Sequence, residues 1–220
     1  MLPRKAPVLL GLAGSLFAAS TANAGTITLD RTCYIERTAM VVSGSGFTPG
    51  GRIVLSGDGA FGTADADATG AFVTTLQVPY NTNLGARSSD IRVSTLKAEN
   101  YSAAADNTSI NYQITNFAYS VSDNAGDPRK KRTFYLAGFP ENSNVWAHYR
   151  FGGKTRGNVK FGKAKGACGL VKTRQALLPS SIKMRYGQWK VQWDTKKSYK
   201  ATTKPRLTTG LTTYRTFSRR

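Results

Sequence analysis

Val41-Val42-Ser43-Gly44-Ser45-Gly46-Phe47-Thr48-Pro49-Gly50-Gly51-Arg52-Ile53-Val54-Leu55 sets two short apolar runs on either side of a corner rich in glycine and proline. It reads as strand, tight corner, strand, in effect an opening hairpin. Glycine supplies the backbone angles of the corner, proline fixes its own, and Phe47 is left to plug the end of a sandwich. The pattern returns 92 residues later, Phe47 becoming Phe139, in Phe134-Tyr135-Leu136-Ala137-Gly138-Phe139-Pro140. Glu141-Asn142-Ser143-Asn144 then leads into Val145-Trp146-Ala147-His148-Tyr149. The chain therefore reads as two versions of one β module.

Working outward from the first corner, Thr26 to Leu29, Cys33 to Glu36, Ala71 to Val78, Ser89 to Leu96 and Thr108 to Thr115 form further short strand signals. Turn residues bound them: Ser56-Gly57-Asp58-Gly59, Asp65-Ala66-Asp67-Ala68-Thr69-Gly70 and Pro79. Short strands at this spacing with no sustained helical period predict an all-β sandwich. In the second copy, Ala167-Cys168 after Gly166 is set against Ala71-Phe72 after Gly70, and Pro179 against Pro79. Trp189-Lys190-Val191-Gln192-Trp193 alternates, which sends Trp189, Val191 and Trp193 to the core and Gln188, Lys190, Gln192 and Asp194 outward. A strand from Leu211 to Phe217 is expected to close the module. Thr115 to Ala118 leaves almost no linker, so the two modules should be closely coupled.

The first 24 residues have the form of an export signal: Arg4 and Lys5, an apolar run from Pro7 to Ala19, and the small-x-small site Ala22-Asn23-Ala24. The expected organisation is a signal peptide at 1–24 and two immunoglobulin-like β-sandwiches at 25–115 and 116–220, in a secreted or cell-envelope protein. Charge divides at the same place. Residues 25–115 carry 6 Lys/Arg against 8 Asp/Glu, and residues 116–220 carry 23 against 4. Cys33 and Cys168 stand one in each half, so a disulfide within either module is excluded. A Cys33–Cys168 bridge across the halves and a pair of buried thiols are the two alternatives.

Gly44-x-Gly46-Phe47-x-Pro49-Gly50, followed by Ala64-Asp65-Ala66-x-x-x-Gly70-x-Phe72 and a strand ending at Pro79, resembles the immunoglobulin-like modules of secreted actinobacterial proteins. It is also similar to the apoproteins of the neocarzinostatin type and, more loosely, to IPT/TIG modules. The resemblance covers mainly residues 38–80. It implies a sandwich fold, and from the neocarzinostatin type a small-ligand carrier. The two intradomain disulfides of that type are missing here, which sets the sequence apart from its chromophore pocket.

Catalytic and metal constellations are sparse. The single histidine, His148, is expected at the surface, and no Gly-x-Ser-x-Gly elbow occurs. One histidine and two separated cysteines do not make a four-ligand zinc site, so neither a metal nor a cofactor is assigned. Asp65-x-Asp67-x-Thr69-Gly70 begins like a calcium loop but carries Leu76 where the bidentate glutamate belongs, so it reads as a turn. Gly153-Lys154-Thr155 ends like a phosphate-binding loop, with His148 in place of its first glycine.

What remains is the positive charge of residues 116–220. Its clusters are Arg129, Lys130, Lys131 and Arg132; Lys154 and Arg156; Lys160, Lys163 and Lys165; Lys196, Lys197 and Lys200; then Lys204, Arg206 and the tail from Arg215 to Arg220. Such a surface attracts polyanions by counterion release, without sequence-specific contacts. The expectation is a non-catalytic module docking on an anionic envelope polymer or acidic glycan. Extracellular DNA, a carried small ligand and a merely solvated face are the alternatives.

Overall fold

The computed structural model describes residues 25–81 and 83–215. The expected signal segment 1–24 and the tail beyond Arg215 lie outside the described residues. The fold is all-β and immunoglobulin-like. The first half contributes β1 (Thr26–Leu29), β2 (Cys33–Ile35), β3 (Ala39–Ser45), β4 (Arg52–Gly57), β5 (Ala60–Asp65), β6 (Phe72–Gln77), β7 (Arg92–Asn100) and β8 (Thr108–Thr115). The second contributes β9 (Ala118–Val121), β10 (Ala125–Gly126), β11 (Lys131–Ala137), β12 (Asn144–Phe151), β13 (Lys154–Lys163), β14 (Val171–Ala176), β15 (Gly187–Asp194) and β16 (Leu207–Thr213).

Four sheets result, with orders β1-β3-β6, β2-β8-β7-β4-β5, β9-β11-β14 and β10-β16-β15-β12-β13. Adding eight to each strand number turns the first pair of sheets into the second, so the sequence repeat is a repeat of topology. Even the exceptional pairing recurs: β2 runs parallel to β8, and β10 parallel to β16. Each pair of sheets encloses its own core. One is built around Met40, Val42, Ile53, Leu55, Leu96 and Ile114, the other around Phe134, Leu136, Val145, Trp189, Val191 and Trp193.

The corner that organises the chain is not a hairpin. β3 pairs with β1 and β6, while β4 pairs with β5 and β7, so the chain crosses from one sheet to the other at Gly46–Gly51. Two apolar runs flanking glycine and proline look alike locally whether they pair or part. Phe47 does plug the sandwich end: it is 3% exposed and packs on Phe72 with ring centres 5.3 Å apart. Its N–H donates to Gly70 O at 3.1 Å. Gly70 has φ +76°, and a Cβ there would fall 2.1 Å from Phe47 O. The equivalent contact in the second half is made by Gly169, with φ +59° and a would-be Cβ 1.6 Å from Phe139 O, whereas a Cβ on Gly166 would meet nothing within 4 Å. Gly169, rather than Gly166, is therefore the counterpart of Gly70. Cys168 consequently sits in a turn, ahead of a strand that begins only at Val171.

Trp189, Val191 and Trp193 face the core as their alternation predicts, with 1%, 0% and 0% exposure. Trp193 lies at the centre of an aromatic cluster with Tyr119, Phe134 and Phe161. Burying one such ring removes enough apolar area to contribute about 3 kcal/mol. The closing strand starts at Leu207 and ends at Thr213, earlier than Leu211 to Phe217. Where the halves meet, β8 ends at Thr115 and β9 begins at Ala118, and Asn116 Nδ2 donates to Leu84 O at 2.7 Å. Cys33 and Cys168 are joined in a disulfide between the halves, with Cα atoms 5.2 Å apart.

Candidate anion-binding surface

Pairing registers arrange the outer face of the β10-β16-β15-β12-β13 sheet in rows. Lys160 stands beside Trp146 and Asp194, then Asn158 beside His148, Gln192 and Thr208. The next row sets Arg150 beside Lys190 and Gly210. The last sets Gln188 beside Thr212. The turn of the β12–β13 hairpin, Gly152-Gly153, takes positive φ at both residues, as a two-residue hairpin turn requires.

The middle of the first two rows, His148, Gln192 and Asp194, is covered, while Lys160, Asn158 and Thr208 at their ends stay exposed. Residues 195–206 return across that middle, and Gln192 Nε2 donates to Lys200 O at 2.9 Å. Asp194 Oδ1 accepts from Lys196 N–H at 2.7 Å, and its Oδ2 accepts from Gln192 Nε2 at 2.7 Å. His148 lies beneath this strap with 0% exposure, Nε2 3.1 Å from Asp194 Oδ1 and Nδ1 2.8 Å from Asn158 Oδ1. Tyr199 packs its edge on the imidazole. His148 is thus on the outward side of its strand yet buried, contrary to the surface position expected of it. Gln192 and Asp194, also outward by alternation, are buried with it. A polar strap without periodicity left no signal of where it would fold back.

The cations predicted from sequence fall into separate groups. Lys160 projects from the outer face just described, and Lys196, Lys197 and Lys200 from the strap above it; all four are exposed. Lys154 and Arg156 follow the Gly152-Gly153 turn at the start of β13, with Arg156 Nε donating to Phe151 O at 3.3 Å. Lys163 and Lys165 stand at the far end of β13. Lys131 lies on the opposite sheet, two residues before Thr133 and four before Tyr135 on the same outward side of β11. Lys130 is exposed at the turn before it. Arg129 folds back on the protein, its guanidinium donating to the carbonyls of Leu178, Pro179 and Ile182. The charge therefore wraps both faces rather than gathering on one.

Arg132 does not belong to this surface. It is 5% exposed and in phase with Phe134 and Leu136 on the inward side of β11. Its Nη1 donates to Lys130 O at 2.9 Å, and its Nη2 to Ala125 O at 2.8 Å and to Asp123 Oδ2 at 3.1 Å. A guanidinium so engaged ties down the loop between β9 and β11, and its one unpartnered N–H, at Nε, is buried away from any polymer. The Ala125 N–H, and behind it the Arg132 charge, hold the Asp123 carboxyl below its ordinary value.

No family model matches the sequence, and no curated protein matches it. Among solved structures, macromomycin, of the neocarzinostatin type, aligns with 42% of this chain and 99% of its own, at 14% identity and a TM-score of 0.32. The Escherichia coli adhesin FdeC aligns with 88% of this chain at 11% identity and a TM-score of 0.45. The Yersinia pseudotuberculosis adhesin InvE aligns with 86% at 9% identity and a TM-score of 0.31. This chain spans 65% and 58% of those two adhesin chains, less than two thirds of each. The immunoglobulin-like assignment rests on the strand order itself.

Six cations stand outside the sequence clusters: Lys183 and Arg185, exposed in the loop between β14 and β15, and four on strands. Lys172 and Arg174 stand on the outer face of β14, opposite Tyr135 and Thr133, and the Lys172 ammonium lies 5.7 Å from the Tyr135 ring. Arg150 and Lys190 share the uncovered row of the larger sheet. Lys172-x-Arg174 repeats the spacing of Lys154-x-Arg156 and was legible as a pair, whereas Arg150 and Lys190 are isolated in sequence, so a search for runs passes over them. The alternation of β12 and β15, followed across the strands, would have brought the last two together. No group of three His, Cys, Asp or Glu suited to a metal ion occurs among the described residues.

Proposed function

We propose that this chain is an exported, non-catalytic binding protein of two modules, 25–115 and 116–220, whose second module docks on an anionic envelope polymer or acidic glycan. One observation carries this reading. Residues 116–220 hold 23 Lys/Arg and 4 Asp/Glu, and among the described residues only the buried Arg132 of those cations enters an ion pair. Asp194 is buried against His148 and Asp123 is held by Arg132, so Asp127 and Glu141 are the carboxylates left to offset the rest. A surface this poorly neutralised binds flexible polyanions by releasing their counterions.

Because the charge lies on both sheets and on the strap between β15 and β16, it suits a chain that wraps rather than a single rigid face. Export is supported by the disulfide, since such bonds persist in oxidising compartments. No helix among the described residues is long and apolar enough to cross a membrane.

The test is retention of residues 25–220 on immobilised teichoic acid, heparin and DNA over a salt series. Retention on the glycan-type polymers should fall linearly in log affinity against log salt, with a slope of about −3 or steeper for four or more contacts. Lys196→Gln/Lys197→Gln/Lys200→Gln should make the slope shallower. Failure to bind any of the three at low salt overturns the proposal, and retention on DNA alone replaces it with a nucleic-acid role.

A further inference from the structure

The uncovered rows of the larger sheet form a groove of about 570 Å³. Arg150 and Lys190 stand directly opposite one another on its floor, on neighbouring strands. Like charges in that relation repel and weaken a sheet. No ion pair relieves either of them among the described residues, and no carboxylate lines the groove. Two other clefts differ: that at the Cys33–Cys168 junction includes Asp30 and Glu141, and that beside Tyr80 includes Asp58.

The guanidinium of Arg150 is also held in place. Its Nη2 donates to Gly153 O at 2.6 Å, and its centre lies 4.8 Å from the Tyr199 ring. Fixing a long side chain in advance removes part of the entropic cost of binding.

Gly210 supplies an independent observation. It sits in mid-strand beside Lys190, without a positive φ, and a Cβ there would meet nothing within 4 Å. Neither backbone geometry nor packing demands glycine at this position. A glycine inside a strand weakens it, and it commonly marks a place where another molecule approaches the backbone. What the missing side chain does here is keep the groove open next to the two cations.

We infer that this groove is a binding site for one anionic unit of a sugar or polyol chain. Arg150 and Lys190 take the phosphate or carboxylate group, Gln188, Thr212 and Asn124 hydrogen-bond the neighbouring hydroxyls, and Gly210 admits the backbone of the unit. The site deepens the polyanion-docking reading and rests on it for the identity of the natural ligand.

The experiment follows amide shifts of residues 25–220 by NMR during titration with inorganic phosphate, a glycerol-phosphate oligomer, a glucuronate oligosaccharide and a DNA oligonucleotide. Saturable shifts confined to the residues around the groove are expected with the glycerol-phosphate or the glucuronate oligomer, and whichever binds more tightly identifies the source of the anionic group. Lys190→Gln and Gly210→Val should each weaken that binding about tenfold. G210V should melt no lower than the parent, so its loss of binding cannot be a loss of fold. K131Q/R174Q, on the opposite sheet, should leave the groove titration unchanged while reducing polymer retention. Shifts spread evenly over the surface lysines, tightest binding to DNA, or unchanged affinity in both K190Q and G210V would overturn the inference. Groove binding without polymer retention would instead keep the site and sink the broader docking role.

Discussion

His148 and Asp194 meet across neighbouring strands, β12 and β15, with Nε2 and Oδ1 3.1 Å apart and neither side chain reaching solvent. The aspartate also accepts from Gln192 and from the Lys196 N–H, so a single carboxylate anchors both the sheet and the first residues of the strap. Asp194→Ala removes the shared partner of His148 Nε2, Gln192 Nε2 and the Lys196 N–H, leaving the buried imidazole without its carboxylate. It should destabilise the protein by about 3 kcal/mol in urea unfolding and speed hydrogen exchange in residues 195–206. An unchanged exchange rate would mean that the strap is held by its other contacts.

A second prediction separates the two glycines near Cys168. Gly169→Ala forces a Cβ into Phe139 O from a left-handed backbone and should cost at least about 2 kcal/mol. Gly166→Ala meets open space and should cost about 1 kcal/mol, the conformational strain alone. Equal melting temperatures for the two variants would restore Gly166 as the counterpart of Gly70.

The disulfide links residues 135 apart, so its loss frees a long loop in the unfolded chain. Cys33→Ser/Cys168→Ser should lower stability by about 3 kcal/mol. Cleavage near Asn116 should give two fragments that separate on a gel only after reduction. Fragments that part without reduction would show that the bridge is not formed in the protein as isolated.

Acid should loosen the first corner. The Thr48 N–H, and next its hydroxyl, donate to Asp106 and hold its carboxyl below the ordinary value, with help from Asn100. A depressed carboxyl contributes stability that is fully present above the unfolded value, about pH 3.9, and is lost as pH falls through the folded value. The melting temperature of the parent should therefore drop toward that of Asp106→Asn below about pH 4, while the gap between them holds at neutral pH. A gap independent of pH would show that the carboxylate charge plays no part.

Much of the fold was written in local pattern. β3 and β11 are offset by the same 92 residues that separate Phe47 from Phe139, and Thr108 to Thr115 is a strand to the residue. The tryptophans of β15 were legible because a two-residue period fixes which side faces the core. Arg132 was legible too, in phase with Phe134 and Leu136, but its position in a basic run drew the eye to charge instead. The burial of His148 and the parting of β3 from β4 were not legible. Both depend on what a distant segment covers or pairs with, and no local period records that. The same is true of the groove, whose two cations are 40 residues apart in sequence and meet only through strand register.

The bond between Cys33 and Cys168 also decides how the protein would carry a pulling force. With tension applied at Gly25 and Arg215, the covalent shortcut leaves the intervening residues 34–167 outside the load path. Up to about 450 Å of extended chain is thereby withheld from stretching, including the first core from Tyr34 onward and the edge strand β13 with its lysines. Under strain only the outer segments could peel, and the lysines of β13 would keep their spacing until the bridge was reduced.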